Sequence, residues 1–348
     1  MPTLTTHLKT LSNAIGVSGD EGAIRKLVIA AIRDHVDEVR VDTIGNVLAV
    51  KRASGKPKLR VMLDAHMDEV GVMIVGANDD GTLKFRAVGG LDPRILPGKV
   101  ISIGHVNLSG VIGVPPVHVT AGETDVRKID QLSIDIGAAT KDEALGAAPI
   151  GTLATFSTQY RPLGVTAYGK AFDDRAGCAI LIEILRGPRL PIEILAAFTV
   201  QEEVGLRGAQ VAAHTLKPDA AIVIDCTPAN DLPPTIEADA SPNTRLGDGP
   251  AIYVMTRRDV SDPRLVKHLI SVGERQGIPY QLRQPGGGGT NAGGIIPARS
   301  GVPTISVSVP ARYIHSPAAI VNLGDVRHTL ELVREGVARL TPKVLVHG

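Results

Sequence analysis

Apolar residues are regularly spaced along the first part of the chain, and the spacing predicts the elements there. Residues 23–32 place apolar side chains three and four positions apart, after acidic residues that suit a first helical turn, so they predict a helix. Short apolar runs at residues 39–41, 46–50 and 60–65 predict strands. The last of these strands leads directly into His66.

Between residues 69 and 164 the pattern changes to short apolar runs separated by Gly, Pro, Asn and Asp. Runs of this kind are typical of strands joined by turns. One stretch, residues 124–131, fits a helical turn instead. We therefore predict a small β-rich unit, with strands at residues 70–75, 83–88, 100–103, 111–114 and 152–156.

Strands and helices alternate in the rest of the chain. This alternation implies a largely parallel sheet that is covered on both faces. We predict an α/β fold with a mostly parallel sheet flanked by helices, formed by residues 1–69 and 165–348 and interrupted by a β-rich inserted domain at residues 70–164. The predicted strands are 192–200, 220–225, 251–255 and 304–309, and the predicted helices are 174–185, 208–214, 263–276 and 324–339.

Composition excludes several classes of function. The chain has 348 residues, 43% hydrophobic and 21% charged, as in ordinary globular proteins. Lys and Arg total 37 against 36 Asp and Glu, aromatic residues make up 3%, and Trp is absent, so we expect no nucleic-acid partner. We also expect no signal peptide and no membrane span. Two distant cysteines, Cys178 and Cys226, favour buried thiols and a cytoplasmic location.

His66 and Asp68 follow the strand predicted at residues 60–65, where open α/β sheets place their ligand sites. There an imidazole can bind a metal through one ring nitrogen while a carboxylate accepts the N–H of the other. A single histidine after a strand is more often structural or incidental. This pair is therefore a weak signal by itself.

Two acidic pairs lie at other element ends. Asp173 and Asp174 precede a predicted helix, where they either cap it or point into a cleft. Glu202 and Glu203 follow the strand predicted at 192–200. Since neighbouring strand residues point to opposite sides, one glutamate can bind a metal while the other reaches the substrate. An exposed pair with no such role is an equally good interpretation.

Asp225 and His315 complete the set of candidates. Asp225 ends the strand predicted at 220–225, where its carboxylate either binds a cation or serves as a cap or turn residue. His315 follows the strand predicted at 304–309, in a loop where histidines are usually solvated. Strand ends share one edge of a parallel sheet, and two histidines with three carboxylates suit two divalent ions about 3.5–4 Å apart.

Five motifs, in this order and over nearly the whole chain, resemble those of the dinuclear metallo-aminopeptidases. This family of glutamyl and leucyl aminopeptidases includes tetrahedral, cage-forming (TET) enzymes and relatives labelled endoglucanases. The motifs are Asp-Ala-His66-Met-Asp68-Glu-Val-Gly, Lys-Ala-Phe-Asp173-Asp-Arg-Ala-Gly, Gln-Glu202-Glu203-Val-Gly-Leu-Arg-Gly-Ala, Asp225 at its strand end, and Arg-Tyr-Ile-His315-Ser.

The resemblance implies a zinc-peptidase-like catalytic domain and a metal-dependent aminopeptidase. Its substrates would be peptides with a free N-terminus, hydrolysed at the N-terminal peptide bond by a water bridged by two divalent ions. It implies two such ions per subunit, zinc or alternatively cobalt or manganese. Asp173 would bridge the ions and Glu202 would be the general base, with Asp68 orienting His66. The remaining ligands would be His66 and Asp225 at one ion, and Glu203 and His315 at the other.

The resemblance also implies a homo-oligomer, either a dimer or a tetrahedral dodecamer assembled through the inserted domain. It further implies a cis peptide bond between Asp173 and Asp174. It leaves the side-chain preference of the first substrate pocket open between acidic, neutral and basic.

The chain departs from the family at one position. Relatives typically carry Gly-Gly-Gly-Thr-Asp-Ala where residues 287–292 are Gly-Gly-Gly-Thr-Asn-Ala, so Asn291 replaces a charged residue. We expect altered electrostatics and specificity if this loop lies near the substrate or the metals.

Two alternatives to the peptidase remain open. A glycoside hydrolase needs two carboxylates flanking a sugar and no metal, which leaves both candidate histidines and Asp225 unexplained. A non-catalytic scaffold of the same fold would be expected to lack a ligand or the base, whereas this sequence has them all.

Overall fold

The computed structural model describes residues 3–116, 118–119, 125–232, 244–283 and 288–347. Helices α1 to α8 of these residues are Leu4–Asn13, Gly22–Ile32, Lys141–Ala147, Phe172–Arg186, Arg207–Leu216, Pro263–Gln276, Ala292–Ile295 and Leu323–Arg339. Strands β1 to β17 are Glu38–Val41, Val47–Lys51, Arg60–His66, Gly71–Ala77, Leu83–Val88, Val100–Ile103, Leu108–Ile112, Ile134–Asp135, Leu153–Phe156, Arg161–Leu163, Thr166–Gly169, Glu193–Thr199, Ala220–Pro228, Ala251–Tyr253, Gln281–Arg283, Thr304–Arg312 and Ala319–Asn322.

The centre of the large sheet is parallel. Strands β12, β3, β13 and β16 lie side by side in that order and run in the same direction. Their residues are buried almost throughout, as expected for strands that are covered by helices on both faces. The apolar runs of the sequence therefore correctly indicated the position of these four strands.

The prediction of an α/β fold is confirmed, but the mostly parallel sheet is wrong, because the large sheet is mixed. On one side β2 pairs antiparallel with β12 and β1, and on the other β16, β17, β11 and β10 pair antiparallel in series. The links from β1 to β2 and from β10 to β11 are short, and a short link permits only an antiparallel pair. The order of the predicted strands along the sequence could not reveal these hairpins.

A second unit is a closed barrel, which consists of six strands that lie between residues 71 and 156. Its strand order is β4, β5, β8, β7, β6 and β9, and it encloses its own apolar core around Ile74, Leu83, Phe85 and Ile134. Closure leaves no unpaired strand edge. The barrel also carries α3, which the prediction of a β-rich unit with one helical turn at residues 124–131 missed. Strand β10, at residues 161–163, pairs with the large sheet and not with the barrel.

The helical pattern was most informative where sequence supplies both ends of a helix. Helix α6 matches its predicted bounds: Asp262 caps it, Pro263 opens it and Gly277 ends it with φ 63°. The helical turn predicted at residues 124–131 is a short 3₁₀ turn, Ile129–Gln131, and residue 124 lies outside the described residues. Helix α1 was missed, although Thr3 caps it and its leucines are helically spaced. Within the described part of the chain, no helix has the length and apolarity needed to cross a membrane.

Candidate metal centre

The parallel strands bring the candidate residues to one edge of the large sheet. His66 is the last residue of β3 and pairs with Thr199, the last residue of β12. The register pairs Val223 of β13 with Asp64 of β3, so Asp225 lies level with His66, two residues further on. Strand β13 continues past Asp225 to residue 228 because it remains paired with β16. Asp225 is therefore an edge-facing residue inside its strand and not the strand's last residue.

Asp173 lies between the two candidate histidines. Its Oδ1 is 3.2 Å from Nε2 of His66, and its Oδ2 is 3.5 Å from Nε2 of His315. His66 Nε2 also lies 3.8 Å from Oδ1 of Asp225, and His315 Nε2 lies 3.2 Å from Oε1 of Glu203. All five residues predicted as ligands are therefore brought together, with a different oxygen of Asp173 facing each histidine.

These distances fit a pair of metal ions. Donor atoms that bind one tetrahedral ion at about 2.0–2.1 Å lie about 3.3 Å from each other. The separations from each histidine Nε2 to the nearest carboxylate oxygens are 3.2 to 3.8 Å. Imidazole nitrogens and carboxylate oxygens are also the donor types that zinc and similar divalent ions bind in proteins. The donor set is thus compatible with one ion on either side of Asp173.

Asp174 is also close enough to count as a donor. One oxygen of Asp174, a ring nitrogen of His66 and a carboxylate oxygen of Asp225 lie within 4.8 Å of one another. The same is true of a ring nitrogen of His66 and carboxylate oxygens of Asp173 and Glu203. However, Asp174 is fully buried, and each of its oxygens already accepts a backbone N–H. His66 N–H donates to Oδ2 at 3.1 Å and Gly177 N–H to Oδ1 at 2.8 Å. Asp174 therefore fixes the start of α4 and the end of β3. The peptide bond between Asp173 and Asp174 is cis, as the resemblance implied.

Asp68 joins the end of β3 to the turn that carries the two glutamates. Its side-chain Oδ1 lies 3.4 Å from Nδ1 of His66. The same Nδ1 lies 3.1 Å from the backbone carbonyl oxygen of Asp68. The same carboxylate accepts the N–H groups of Glu202 and Glu203, at 3.0 and 3.1 Å, and the hydroxyl of Ser18 at 2.6 Å. One buried carboxylate therefore positions the ring of His66 and the backbone of both glutamates.

The loops beside the cluster contain left-handed backbone at residues other than glycine. Ala171, Gln201 and His315 have φ of 53°, 57° and 56°. This conformation is costly for side chains with a Cβ and persists only where surrounding contacts hold it. One such contact is the Gln201 N–H, which donates to Oε1 of Glu21 at 3.2 Å. Non-glycine residues in this region recur at ligand sites, so the strain agrees with a functional role for this edge of the sheet.

The comparisons with known proteins identify the family. The model of the M42 glutamyl aminopeptidase family matches residues 45–332. The chain belongs to this family. The predicted resemblance is thereby confirmed, as is the predicted class of enzyme, a metal-dependent aminopeptidase. Neither a glycoside hydrolase nor a non-catalytic scaffold is favoured. Because the M42 enzymes are metallopeptidases, this one uses divalent metal ions.

Similar proteins match the chain over nearly its full length. The lysyl aminopeptidase of Pyrococcus furiosus is 34% identical over an alignment of 346 positions, which covers 96% of this chain and 97% of the relative. An aminopeptidase structure from the archaeon Desulfurococcus kamchatkensis has a TM-score of 0.93 and 34% identity, over 98% of this chain and 96% of that chain. The TET1 peptidase of Pyrococcus horikoshii, which can assemble into a tetrahedron or a large octahedral shell, has a TM-score of 0.86 and 32% identity, over 97% and 100% of the two chains.

The carboxylates of this M42 aminopeptidase lie in a buried, mutually repulsive cluster. Burial and the charges of Glu203 and Asp173 raise the pKa of Glu202 to about 8, although His66 opposes the shift. Burial and the nearby Asp173 also raise the pKa of Asp225 well above its ordinary value. Bound cations favour the charged form of such groups. The cluster is therefore suited to cations and is costly without them.

The pKa values of the two candidate histidines are raised as well, although burial acts to lower them. Burial lowers the pKa of His315, but its hydrogen bonds with Asp173 and Glu203 outweigh burial and raise it to about 11. The pKa of His66 is likewise raised despite burial, through its bonds with Asp173 and Asp68. Without a cation the imidazoles thus hold protons that partly neutralise the carboxylates. A metal ligand must give up this proton, so metal binding to the M42 enzyme is coupled to proton release.

Asn291 lies beneath the metal centre and does not line the cavity. It is 1% exposed, and its Nδ2 donates to Oδ2 of Asp64 at 2.7 Å and to Oγ1 of Thr199 at 2.9 Å. Its loop thus contacts the two strands that end next to the cluster. An electrostatic effect of the change at this position would act on Asp64, because Asn291 contacts its carboxylate. Residue 287 of the glycine stretch lies outside the described residues.

A cavity of about 610 Å³ opens over the cluster. The five predicted ligands and Glu202 line it, whereas Asp68 does not. Side chains that the sequence did not single out also line it, among them Tyr253, Arg258 and Arg283. No motif marks them, because they come from β14, from the turn after it and from the last residue of β15. Only the fold shows that they face the metal centre.

Proposed function

We propose that this M42 aminopeptidase binds two divalent ions, zinc by preference and cobalt or manganese as alternatives, one on each side of Asp173. His66 and Asp225 would complete the first site, and Glu203 and His315 the second. The observation that carries this proposal is the arrangement of Asp173, whose two oxygens face two different histidines at 3.2 and 3.5 Å. When bound, the ions would polarise the peptide carbonyl and make water a stronger nucleophile near neutral pH.

Glu202 is the proposed general base. It lines the cavity with Asp173 and Asp225, and its neighbour Glu203 contacts His315. Its carboxylate would take a proton from the attacking water and pass it to the nitrogen of the leaving amine. The Glu202 backbone N–H is bonded to Asp68, so the base is held by the same carboxylate that positions His66. Asp68 is a positioning residue and does not touch the substrate.

The substrate is a peptide with a free N-terminus. A protonated α-amine is favoured next to the cavity carboxylates, and a blocked N-terminus loses that charge. The test is hydrolysis of aminoacyl-anilides and short peptides, with and without an N-acetyl group, before chelation, after chelation and after zinc, cobalt or manganese is restored. We expect metal-dependent release of the N-terminal residue from the free peptides only. Cleavage that survives chelation, or acetylated peptides cut equally well, would contradict the proposal.

We also propose that the β-rich inserted domain, residues 70–164, carries the subunit contacts of a homo-oligomer. The similar TET1 peptidase of Pyrococcus horikoshii can assemble into a tetrahedron or a larger shell. In this chain the barrel exposes large apolar side chains, including Val106 at 82% and Ile150 at 67%. Light scattering of wild type and of Val106→Asp with Ile150→Asp tests this. Wild type should be a dimer or a dodecamer, and the double variant a smaller species.

A reducing compartment, the cytoplasm, is the proposed location. Cys178 and Cys226 are both free and buried. Each thiol donates to a backbone carbonyl oxygen, that of His66 and that of Phe172, at 3.1 Å. Both cysteines are therefore accommodated as thiols next to the metal centre. Fractionation of the source cells, with the enzyme detected by antibody, tests the location.

A further inference from the structure

We propose that Glu21 is a positioning residue of the reaction, because its side chain holds the turn that carries Glu202 and Glu203. This inference rests on the proposed function, in which Glu202 is the general base. Glu21 precedes the turn by about 180 residues in the chain and is 3% exposed in the fold. It acts on the backbone of the turn and not on the substrate.

The turn after β12 is held by side chains at four successive residues. The N–H of Val200 donates to Oδ1 of Asn46 at 3.0 Å, and the N–H of Gln201 donates to Oε1 of Glu21 at 3.2 Å. The next two N–H groups, those of the paired glutamates, donate to the two carboxylate oxygens of Asp68 at 3.0 and 3.1 Å. The path of this turn therefore depends on acceptors that come from three distant segments of the chain.

The carboxylate of Glu21 serves this turn although the residue lies next to a helix of its own. Glu21 immediately precedes α2, where an acidic side chain ordinarily caps a helix or interacts with its dipole. Here its Oε1 accepts the N–H groups of Gly19 and Gln201, at 2.8 and 3.2 Å. Ser18 of the same loop donates to Asp68. The loop before α2 thus supports the turn twice, once through Asp68 and once directly.

Glu21 holds the turn at a strained residue. Gln201 has a φ of 57°, a left-handed conformation that is costly for a residue with a Cβ and persists only where contacts hold it. Without the acceptor, the backbone of Gln201 can relax, and Glu202 follows because it is the next residue. A displacement of about 1 Å in a catalytic group can lower a rate about 100-fold. Loss of the Glu21 contact should therefore slow the chemical step.

Three substitutions separate the accepting oxygen of Glu21 from its charge. Both N–H groups use the same oxygen, so Glu21→Gln keeps an acceptor and should keep kcat close to wild type. Glu21→Asp keeps the charge but withdraws the oxygens by one methylene, and Glu21→Ala removes them. Both should lower kcat about 10- to 100-fold with KM nearly unchanged. Steady-state kinetics of the full-length, metal-loaded enzyme on an aminoacyl-4-nitroanilide measures this. A role of the charge itself would reverse the order of the Gln and Asp variants.

A matched control separates this effect from a general loss of stability. Asp325 is 1% exposed and likewise accepts two backbone N–H groups, those of Gly247 and Gly249, which are described residues outside the cavity lining. Asp325→Ala should lower the melting temperature but leave kcat unchanged.

Two further measurements show whether the effect passes through the turn. Amide hydrogen exchange of the metal-free protein should be faster at Gln201 in Glu21→Asp and Glu21→Ala, and unchanged in Glu21→Gln. The second measurement is a double-mutant cycle. Because Glu21 acts through Glu202, adding Glu21→Asp to Glu202→Gln should cause little further loss of kcat.

The outcomes separate this inference from the proposed function. If wild type cleaves no anilide with any metal, or Glu202→Gln stays fully active, the proposed function fails and this inference with it. If Glu202→Gln is impaired but Glu21→Asp and Glu21→Ala keep wild-type kcat, only the inference is overturned. The same holds if the losses from Glu21 and Glu202 add in full. It also holds if excess zinc restores kcat in the Glu21 variants, because the loss would then lie in metal binding by Glu203.

Discussion

At the scale of single residues, roles follow from contacts that adjacent residues do not share. Asp173 faces two histidines, whereas Asp174 is occupied by the backbone N–H groups of His66 and Gly177. Both Glu202 and Glu203 line the cavity, but it is Oε1 of Glu203 that lies 3.2 Å from Nε2 of His315. The sequence could nominate both pairs because they follow strands or precede a helix. It could not divide the roles within a pair without the resemblance, since that division depends on which way each carboxylate points.

Replacing the proposed base tests one such role. We expect Glu202→Gln to keep the fold and the metal content but to lower kcat by roughly 10²- to 10⁴-fold, because an amide cannot accept the proton. Metal analysis and steady-state kinetics measure this. Glu193→Gln, at the opposite end of β12, is the matched control and should retain activity. Full activity in the Glu202 variant would show that another group is the base.

The departure from the family at Asn291 also gives a prediction. Burial raises the pKa of Asp64 to about 7, although the bond from Asn291 opposes this. Asn291→Asp would replace that donor with a second buried acid, so we expect the protein to lose about 1–3 kcal/mol of stability. The folded state then holds protons that the unfolded state releases, so the loss should be larger at pH 8 than at pH 5. Urea unfolding at both pH values measures it, and an equal loss at both would contradict the charge explanation.

At the scale of elements, the metal centre depends on connections between strand ends. Parallel pairing of β3, β12 and β13 sets the level of His66 and Asp225, and Asp68 ties β3 to the turn after β12. The central strands could be predicted because they are uniformly apolar. The antiparallel edges, α1 and the arginines of the cavity could not, because their place depends on pairing and packing between distant segments.

Asp68→Asn tests that connection. An amide can keep one accepting oxygen but turns an N–H toward the donors of Glu202, Glu203 or Ser18, so we expect metal affinity to fall about 10- to 100-fold. Titration of the metal-free protein with zinc measures the affinity. Ser18→Ala removes only one of these contacts and should have a smaller effect. If Ser18→Ala were the more harmful change, the positioning role of Asp68 would be wrong.

At the scale of the whole molecule, metal ions and protons compete for the same cluster. In the metal-free protein the pKa of Glu202 is raised from 4.5 to about 8 and that of His315 from 6.5 to about 11. At pH values between the ordinary pKa and the raised pKa of each group, the folded state binds more protons than the unfolded state. The stability these groups contribute is therefore greatest at low pH and falls as pH rises through about 5 to 8 for Glu202 and about 7 to 11 for His315.

The competition predicts a pH-dependent effect of metal removal. Ions displace the protons, so metal binding tightens as pH rises while the metal-free protein weakens. We expect chelation to lower the melting temperature more at pH 8 than at pH 6. Comparing loaded and metal-free protein at each pH cancels the titration of groups far from the site. A larger effect of chelation at pH 6 would contradict the proton linkage.

The most direct test of the two-ion centre is anomalous diffraction from crystals grown with zinc. The account predicts two peaks per chain about 3.5–4 Å apart, on either side of the Asp173 carboxylate. One peak should contact His66 and Asp225, and the other Glu203 and His315. A single peak, or a pair coordinated by Asp174 in place of Asp173, would contradict the account.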